Sequence, residues 1–241
     1  MRADQALVVR GVFRSRSAAQ AAIDAGLVSV DGVVIQKASQ KVDPNAQIVA
    51  TPAHPYVSRG GLKLAHALDV FEYDPNGRVC LDLGASTGGF TDVLLRRGAA
   101  EVFAIDVGRG QLRAEIAGNS RVSAMEGTDV RRLTEKEVPR SPNLIVCDLS
   151  FISLEKALET PLRLASSDAT LIALFKPQFQ VGRKGVGRGG IVRDKAIAEA
   201  AEQVFASWLL GQGWKVAAWA DSPILGGDGN AERLVAARRE A

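Results

Sequence analysis

Residues 79–91 have the sequence Val-Cys-Leu-Asp-Leu-Gly-Ala-Ser-Thr-Gly-Gly-Phe-Thr, the most informative pattern in the chain. Its first five residues predict a buried strand, because only Asp82 among them is charged. The apolar spacing that begins at Phe90 predicts a helix. The glycines between these elements permit positive φ angles and let a ligand approach the backbone closely. The stretch therefore predicts a strand that leads through a tight turn into the N-terminus of a helix.

A second acidic residue extends this pattern. Residues 101–106, Glu-Val-Phe-Ala-Ile-Asp, predict another buried strand that ends at Asp106. An acid at the end of the second strand is placed to hold the hydroxyl groups of a ribose. The glycine spacing matches neither G-x-G-x-x-G nor G-x-x-x-x-G-K-[ST]. The unit predicts binding of a nucleoside-containing cofactor, and the alternative is a plain turn of an α/β domain.

The form D-x-G-x-x-x-G-G-F-T at residues 82–91 resembles S-adenosylmethionine (SAM) methyltransferases more than dinucleotide enzymes. The resemblance implies SAM as the cofactor. Residues 127–129, Gly-Thr-Asp, follow the third predicted strand, where a contact with the adenine is expected. The residues expected to bind the cofactor are Asp82, Gly84, Ala85, Ser86, Gly88, Phe90, Asp106, Thr128 and Asp129.

Composition narrows the class of protein. The chain has 241 residues, 46% of them hydrophobic and 24% charged, which is ordinary for a globular protein. No apolar run approaches the roughly 18 residues of a membrane span, and the N-terminus lacks the apolar core of a signal peptide. Cys80 and Cys147 lie in predicted buried strands, which indicates free thiols in a reducing compartment. With His54 and His66 they form no ligand-spaced cluster, so we expect a cytoplasmic protein without a metal or a membrane partner.

The positive charge is concentrated near the N-terminus. Residues 1–66 contain eight Lys and Arg against four Asp and Glu, a net charge of +4. The remaining residues, 67–241, contain 22 Lys and Arg against 23 Asp and Glu, a net charge of −1. The excess favours a polyanionic partner for the N-terminal segment, although an ordinary solvated surface would also account for it.

The N-terminal segment has the pattern of a small α+β domain. Two helical patterns within residues 2–26 are closed by Gly11 and Gly26, and short strands follow around an Asp-Gly turn at residues 31–32. This segment resembles the S4 RNA-binding domain. The residues that match are Arg2, Asp4, Gly11, Ser15-Arg16-Ser17-Ala18-Ala19-Gln20, Gly26, Val28, Val30, Asp31-Gly32 and Lys37. The resemblance implies that structured RNA is the ligand. The basic residues predicted to contact RNA here are Arg10, Arg14, Arg16 and Lys37.

The rest of the chain alternates strands and helices, which predicts a parallel sheet covered on both faces. The predicted strands lie near residues 79–83, 101–105, 121–126, 143–148, 169–175, 214–219 and 232–238. The predicted helices lie near residues 61–72, 89–97, 108–117, 130–136, 153–165 and 194–212. We predict an S4-like domain at 1–50, a proline-containing linker at 51–58 and an FtsJ-like SAM-dependent methyltransferase domain of Rossmann-like fold at 59–241. The last strand is expected to be the inserted antiparallel strand of that fold.

Charged residues stand where the predicted strands end. Asp148 follows the strand near 143–148, and Lys176 follows the strand near 169–175. Because ligands gather at the carboxyl ends of parallel strands, the two are a candidate site, and the alternative is a structural ion pair. Methyltransferases that act on exocyclic amines usually have D-P-P-Y or N-P-P-Y at the position of Asp148. No proline follows Asp148, which speaks against methylation of a base amine.

Lys63 and Glu232 complete a Lys-Asp-Lys-Glu set that resembles the tetrad of FtsJ-type ribose 2′-O-methyltransferases. Together with the S4 pattern and residues 56–64, 82–91, 147–153 and 176–179, the set resembles the TlyA family, also catalogued as hemolysin A. The resemblance implies SAM-dependent 2′-O-methylation of cytidine in ribosomal RNA. Our hypothesis is that Lys176, neutral or hydrogen-bonded to the 2′-hydroxyl, orients it and accepts its proton. Asp148 holds Lys176, while Glu232 and Lys63 fix the substrate ribose. One departure is Gln180, where the family pattern has an acid.

Residues 181–190, Val-Gly-Arg-Lys-Gly-Val-Gly-Arg-Gly-Gly, form a basic glycine-rich segment after Lys176. We interpret it as a mobile cover over the site that contacts RNA phosphate, and a flexible surface loop is the alternative. The residues of this domain predicted to contact RNA are Arg59, Arg183, Lys184 and Arg188.

The motifs argue against three alternative functions. A non-enzymatic RNA-binding protein would not need the four tetrad residues or the glycine turn. A membrane-active hemolysin would need a span or a strongly amphipathic cationic helix, and the sequence predicts neither. A pseudouridine synthase can carry an S4 domain, but it would not need the SAM turn. The partners expected are ribosomal RNA and ribosomal subunits.

Overall fold

The structure, a computed structural model, describes residues 1–240, apart from the side chains of Arg183 and Lys184. It divides into two compact units, Met1–Pro55 and a second that begins at Tyr56. Tyr56 and Val57 are partly buried against the hydrophobic core of the second unit. No helix among the described residues is long and apolar enough to cross a membrane.

The first unit packs two helices on a small antiparallel sheet. The elements are α1 (Ala3–Val9), α2 (Arg16–Asp24), β1 (Val28–Val30), β2 (Val33–Val34) and β3 (Ile48–Ala50), with strand order β2-β1-β3. Leu7, Ile23 and Ile35 are buried in its core. Gly11 and Gly26 follow the two helices with φ of 70°, as expected of glycines that end helices.

The second unit is a seven-stranded sheet with helices on both faces. Its strands are β4 (Val79–Leu83), β5 (Glu101–Asp106), β6 (Val122–Glu126), β7 (Leu144–Cys147), β8 (Thr170–Phe175), β9 (Trp214–Asp221) and β10 (Arg233–Arg239). Its helices are α3 (Gly60–Val70), α4 (Gly89–Arg96), α5 (Ala114–Ala117), α6 (Leu154–Leu164), α7 (Pro177–Gln180), α8 (Gly182–Gly185) and α9 (Lys195–Gly211). The order is β6-β5-β4-β7-β8-β10-β9, and β10 is antiparallel to both of its neighbours. The predicted α/β class and the antiparallel last strand are confirmed.

Two predicted helices are wrong in extent. The helix expected over 108–117 is helical only at Ala114–Ala117. The carboxylate of Glu126 accepts hydrogen bonds from the backbone N–H groups of Gly110, Gln111 and Leu112 at 2.9, 2.7 and 3.0 Å, so this segment is held as a loop. The helix expected over 130–136 is a single 3₁₀ turn, Val130–Arg132.

The two faces of the sheet have separate hydrophobic cores. Leu64 and Leu68 of α3 pack with Val93 and Leu94 of α4 on one face. Residues of α6 and α9 pack on the other face, where Phe205 is fully buried and its ring centre lies 5.9 Å from that of Phe175. With both faces covered, the carboxyl ends of the parallel strands form the edge at which polar groups can meet a ligand.

Candidate active site

The sheet topology brings Asp148, Lys176 and Glu232 to one edge. Asp148 follows β7, and Lys176 follows β8. Because β10 is antiparallel to β8, its first residue Arg233 pairs with Phe175, the last residue of β8. Glu232, one residue before β10, therefore lies at the same edge as the residues that follow the parallel strands.

Lys176 is held by two side chains of the segment after β7. Its Nζ lies 2.6 Å from Asp148 Oδ1 and 2.9 Å from Ser150 Oγ. The contact with Asp148 is a close ion pair whose geometry is not that of an aligned hydrogen bond. Lys176 is 8% exposed, so the ammonium group is largely removed from water. The two residues predicted as a pair are in contact.

Lys63 and Glu232 form a second buried ion pair. Lys63 Nζ lies 2.5 Å from Glu232 Oε2, and the two side chains are 10% and 3% exposed. A Cβ atom at Gly226 would collide with Glu232 Oε1, so the glycine leaves room for this carboxylate. The four predicted catalytic residues are thus arranged as two ion pairs.

The two pairs are connected through α3. A Cβ atom placed on Gly60, at the start of the helix, would lie 3.7 Å from Asp148 Oδ2. Lys63 stands one turn further along the same helix. Burial of charged pairs rarely adds stability by itself, because desolvation offsets the attraction. Two such pairs at the edge of a sheet therefore indicate a functional site.

The glycine-rich turn approaches the segment that follows β7 closely. Gly84 has φ of 87°, and a Cβ atom there would lie 2.9 Å from the backbone oxygen of Asp148. Gly88 has φ of 96°, and a Cβ atom there would lie 3.0 Å from Leu112. Both positions need a residue without a side chain. The non-glycine residue Ser86 also has a positive φ, 46°, in the middle of the turn.

Asp106 connects this turn to the end of β5. Its Oδ2 accepts a hydrogen bond from the backbone N–H of Ser86, and its Oδ1 accepts one from Gly108, both at 2.7 Å. A carboxylate has about four acceptor sites, so it can accept further hydrogen bonds from ribose hydroxyl groups. Thr128 lies beside it, since its backbone N–H donates to the backbone oxygen of Asp106 at 2.9 Å.

Asp82 lies beneath the turn and is fully buried. Its Oδ2 accepts a hydrogen bond from Thr91 Oγ1 at 2.6 Å, while its Oδ1 has no partner in the described part of the chain. The pKa of Asp82 is raised to about 7, mainly by burial and also by the nearby carboxylates of Asp148 and Asp106, while the hydrogen bonds from Thr91 oppose the shift. In this arrangement Asp82 supports the start of α4 from below.

The remaining predicted cofactor residues differ in exposure. Ala85 and Phe90 are buried, and Phe90 belongs to the hydrophobic core under α3 and α4. Asp129 is half-buried and paired with Arg131, whose Nη2 lies 2.6 Å from Asp129 Oδ2 and holds the pKa of Asp129 down at about 2. Thr128 and Asp129 line a cavity of about 550 Å³ with the segment that follows Asp148.

These features fit SAM. The positive φ angles of Gly84 and Gly88 suit a turn whose backbone faces a ligand, and Asp106 is placed at the end of the second strand. The cavity beside Asp129 opens next to the turn and has room for a planar base.

Sequence patterns missed two residues of the site. Ser150 contacts Lys176, as described above. Phe151 has φ of 67° and is 89% exposed, and its ring centre lies 5.2 Å from that of Phe179. A bulky residue in this backbone region is strained, and such strain occurs at functional sites. The only sequence signal was an aromatic residue three positions after Asp148.

The predicted RNA-contacting residues lie mostly on the surface. Arg10, Arg14, Arg16, Lys37, Arg59 and Arg188 are exposed. Arg16 pairs with the buried Asp4, its Nη2 lying 2.6 Å from Asp4 Oδ2. Arg10 donates to the backbone oxygen of Ala46 at 2.6 Å. The side chains of Arg183 and Lys184 lie outside the described part of the chain.

Comparison with known families agrees with this architecture. Residues 56–239 match the FtsJ-like methyltransferase family, and residues 1–48 match the S4 domain. The chain belongs to the FtsJ-like methyltransferases and carries an S4 domain at its N-terminal side.

The relatives specify the branch of this class. The 16S/23S rRNA (cytidine-2′-O)-methyltransferase TlyA of Mycobacterium tuberculosis is 43% identical over 233 residues, which cover 96% of this chain and 87% of that protein. Hemolysin A of Brachyspira hyodysenteriae is 37% identical over 235 residues, which cover 97% of this chain and 98% of that protein. A solved structure from Streptococcus thermophilus that carries the hemolysin name has a TM-score of 0.79 at 36% identity, covering 100% of this chain and 88% of that one. The chain is a member of the TlyA family, as expected from its motifs.

We expect Asp82→Asn to raise stability at neutral pH but not near pH 4. The pKa of Asp in an unfolded chain is about 3.9. Burial raises the pKa of Asp82 in the folded protein to about 7. The folded state therefore keeps a proton that the unfolded chain has lost, and the wild type loses stability as pH rises from about 4 to about 7. Asparagine removes this ionisation and can still accept the hydrogen bond from Thr91. Thermal unfolding across this range tests the expectation, and a difference between the two proteins that does not change with pH would contradict it.

We expect Asp106→Ala to weaken SAM binding by about ten- to a hundredfold, because buried hydroxyl groups left without partners cost about 1–3 kcal/mol. Calorimetry with the purified variant measures this. Asp69→Ala removes a surface carboxylate paired with Arg97 and is the matched control. Equal SAM affinity of a folded Asp106→Ala protein and the wild type would remove Asp106 from the cofactor site.

Proposed function

We propose that this protein transfers a methyl group from SAM to a ribose 2′-hydroxyl of ribosomal RNA, with cytidine as the target nucleoside. The observation that supports it best is Lys176, a buried lysine held by Asp148 and Ser150 directly beside the glycine-rich turn. This arrangement puts a group that can move a proton one hydrogen bond away from the cavity that Ser150 lines. The relatives named TlyA have this activity in their names.

Lys176 acts on the attacking hydroxyl. SAM, when bound, supplies an electrophilic methyl group. With Nζ neutral, Lys176 would orient the hydroxyl for in-line attack and take its proton as the new C–O bond forms. The methyl–sulfur bond would break in the same step, which would leave S-adenosylhomocysteine. Asp148, at 2.6 Å, stabilises the ammonium that results, and Ser150 fixes the direction of Nζ. Alignment of two bound reactants contributes heavily to such a step, so the rigid position of Nζ matters as much as its basicity.

The second ion pair fixes the substrate ribose. Lys63 and Glu232 are both buried and can each offer a hydrogen-bonding group to the sugar from the side of α3 and β10. Their opposite charges also keep the edge close to neutral around the reacting hydroxyl. The backbone of the glycine-rich turn holds the cofactor. Asp106 binds the hydroxyl groups of its ribose, and Asp129 contacts its adenine.

The exposed ring of Phe151, which contacts the half-buried Phe179, suits an unstacked base. Phe151 and Phe179 line the same cavity as Asp129 and present ring surface next to Ser150. Single-stranded or flipped nucleotides are commonly held by stacking on such rings. The positive φ angle of Phe151 leaves its ring exposed to solvent, where a base can stack on it.

The first unit supplies RNA affinity. It belongs to the S4 domain family, and its exposed arginines include Arg16, whose guanidinium is held in place by Asp4. Residues 1–55 contain six Lys and Arg against four Asp and Glu, and this net charge of +2 adds long-range attraction for phosphate.

The direct test is methylation of purified ribosomal subunits with labelled SAM, followed by mapping of the modified nucleotide. We expect label on a ribose 2′-oxygen of ribosomal RNA. Lys176→Ala should lower the single-turnover rate by about 10²–10⁴-fold, because the group that takes the proton is lost. Lys176→Arg should not restore it, because a guanidinium stays protonated.

Binding measurements distinguish a slower methyl-transfer step from weaker binding of SAM or RNA. SAM and RNA affinities of both Lys176 variants should match the wild type. Lys136→Ala, which removes an exposed lysine, is the control and should methylate normally. Label on a base atom, or a near wild-type single-turnover rate for Lys176→Ala, would contradict the assignment.

A further inference from the structure

Asn230 is a polar residue with almost no exposed surface. It is 1% exposed and lies two residues before Glu232. Its Nδ2 donates to the backbone oxygen of Gly190 at 2.9 Å, and its Oδ1 accepts from the backbone N–H of Val192 at 3.0 Å. A buried amide whose donor and acceptor both bind one distant backbone segment fixes that segment in place.

The main chain of Asn230 closes a turn next to Glu232. Its backbone oxygen accepts the N–H of Gly226 at 2.9 Å, and Gly229 N–H donates to the backbone oxygen of Gly226 at 3.0 Å. Gly226 lies directly against Glu232 Oε1, where no Cβ atom would fit. The backbone of Asn230 is therefore part of the turn that packs around the catalytic carboxylate.

The side chain of Asn230 reaches the end of the basic glycine-rich segment. Gly187 N–H donates to the backbone oxygen of Ile191 at 3.0 Å, and Gly190 N–H donates to that of Gly187 at 3.1 Å. These bonds form a closed turn with the exposed Arg188 inside it. Because Asn230 binds this turn at Gly190 and just beyond it, the cation of the turn has a defined position relative to β10.

We propose that Asn230 is a positioning residue that couples the basic segment to the Glu232–Lys63 ion pair. An RNA phosphate bound by the segment and a ribose bound by Glu232 and Lys63 are then parts of one substrate strand held by one assembled surface. The proposal rests on the function proposed above, because it takes the RNA strand as the substrate. The anchoring of the segment by Asn230 is a separate claim that can be measured without any methylation.

Limited proteolysis measures the anchor. Trypsin cuts after arginine, and the Arg188–Gly189 bond lies within the turn that Asn230 holds. When opening is fast, cleavage follows the population of the open form. We expect Asn230→Ala to be cut at this bond about tenfold faster or more, because two buried hydrogen bonds are lost.

Asn143→Ala is the matched control. Asn143 Oδ1 accepts the backbone N–H of Val79 at 3.0 Å, a similar amide–backbone bond at the opposite edge of the sheet. Its loss should not change cleavage at Arg188. Asn230→Asp is a second variant of nearly the same shape: it keeps the acceptor for Val192 and replaces the donor to Gly190. It should behave like Asn230→Ala, and it serves as the test if the alanine variant does not fold.

Kinetics measure the coupling. With ribosomal subunits as substrate, Asn230→Ala should have a higher KM for RNA and a single-turnover rate at saturating RNA lower by about tenfold, the loss expected when an aligned group is released. Its SAM affinity should equal that of the wild type, and Asn143→Ala should be normal in all three measurements.

Each outcome decides part of the proposal. Unchanged cleavage at Arg188 in a folded Asn230 variant overturns the anchor. Faster cleavage with a normal rate and KM overturns the coupling to Glu232. If the wild type transfers no methyl group to ribosomal RNA, the proposed function fails and the coupling fails with it, while the cleavage result still decides whether Asn230 anchors the segment.

Discussion

The reversed direction of β10 is the constraint on which the site depends. In a purely parallel sheet, the residue that precedes a strand lies at the edge away from the ligand. Because β10 is antiparallel between β8 and β9, the residue before it, Glu232, comes to the ligand edge beside Lys176. Without this reversal, Lys63 on α3 would have no carboxylate to meet, and its ammonium would be buried alone.

The four charges of the site hold one another in place. Lys63, Lys176 and Glu232 are buried. Removal of Lys63 or Glu232 would leave the other buried without its counter-charge, and removal of Asp148 would do the same to Lys176. This mutual dependence restricts the side chains to a narrow range of positions, which is what alignment of a hydroxyl for attack requires. The desolvation is costly for stability, and it is consistent with a site selected for chemistry.

The sequence predicted the alternation of strands and helices, because buried strands and amphipathic helices have different apolar periods. It also predicted that Asp148 and Lys176 would meet, since both follow neighbouring strands. It could not predict the loop before Ala114, because the cause is the carboxylate of Glu126 on another strand. The sequence also could not predict the exposure of Phe151 or the hydrogen bond from Asn230 to Gly190, because each depends on contacts between segments far apart in the chain.

The close contact at Gly84 connects the glycine-rich turn to the segment after β7. The backbone N–H of Asp148 donates to the oxygen of Leu83 at 3.0 Å, and a Cβ atom at residue 84 would lie only 2.9 Å from the carbonyl oxygen of Asp148. The turn and Asp148 are therefore in direct backbone contact. A side chain at position 84 would have to displace Asp148, and Asp148 could not move without releasing Lys176. The glycine pattern that first indicated a cofactor is thus also a condition for the position of Lys176.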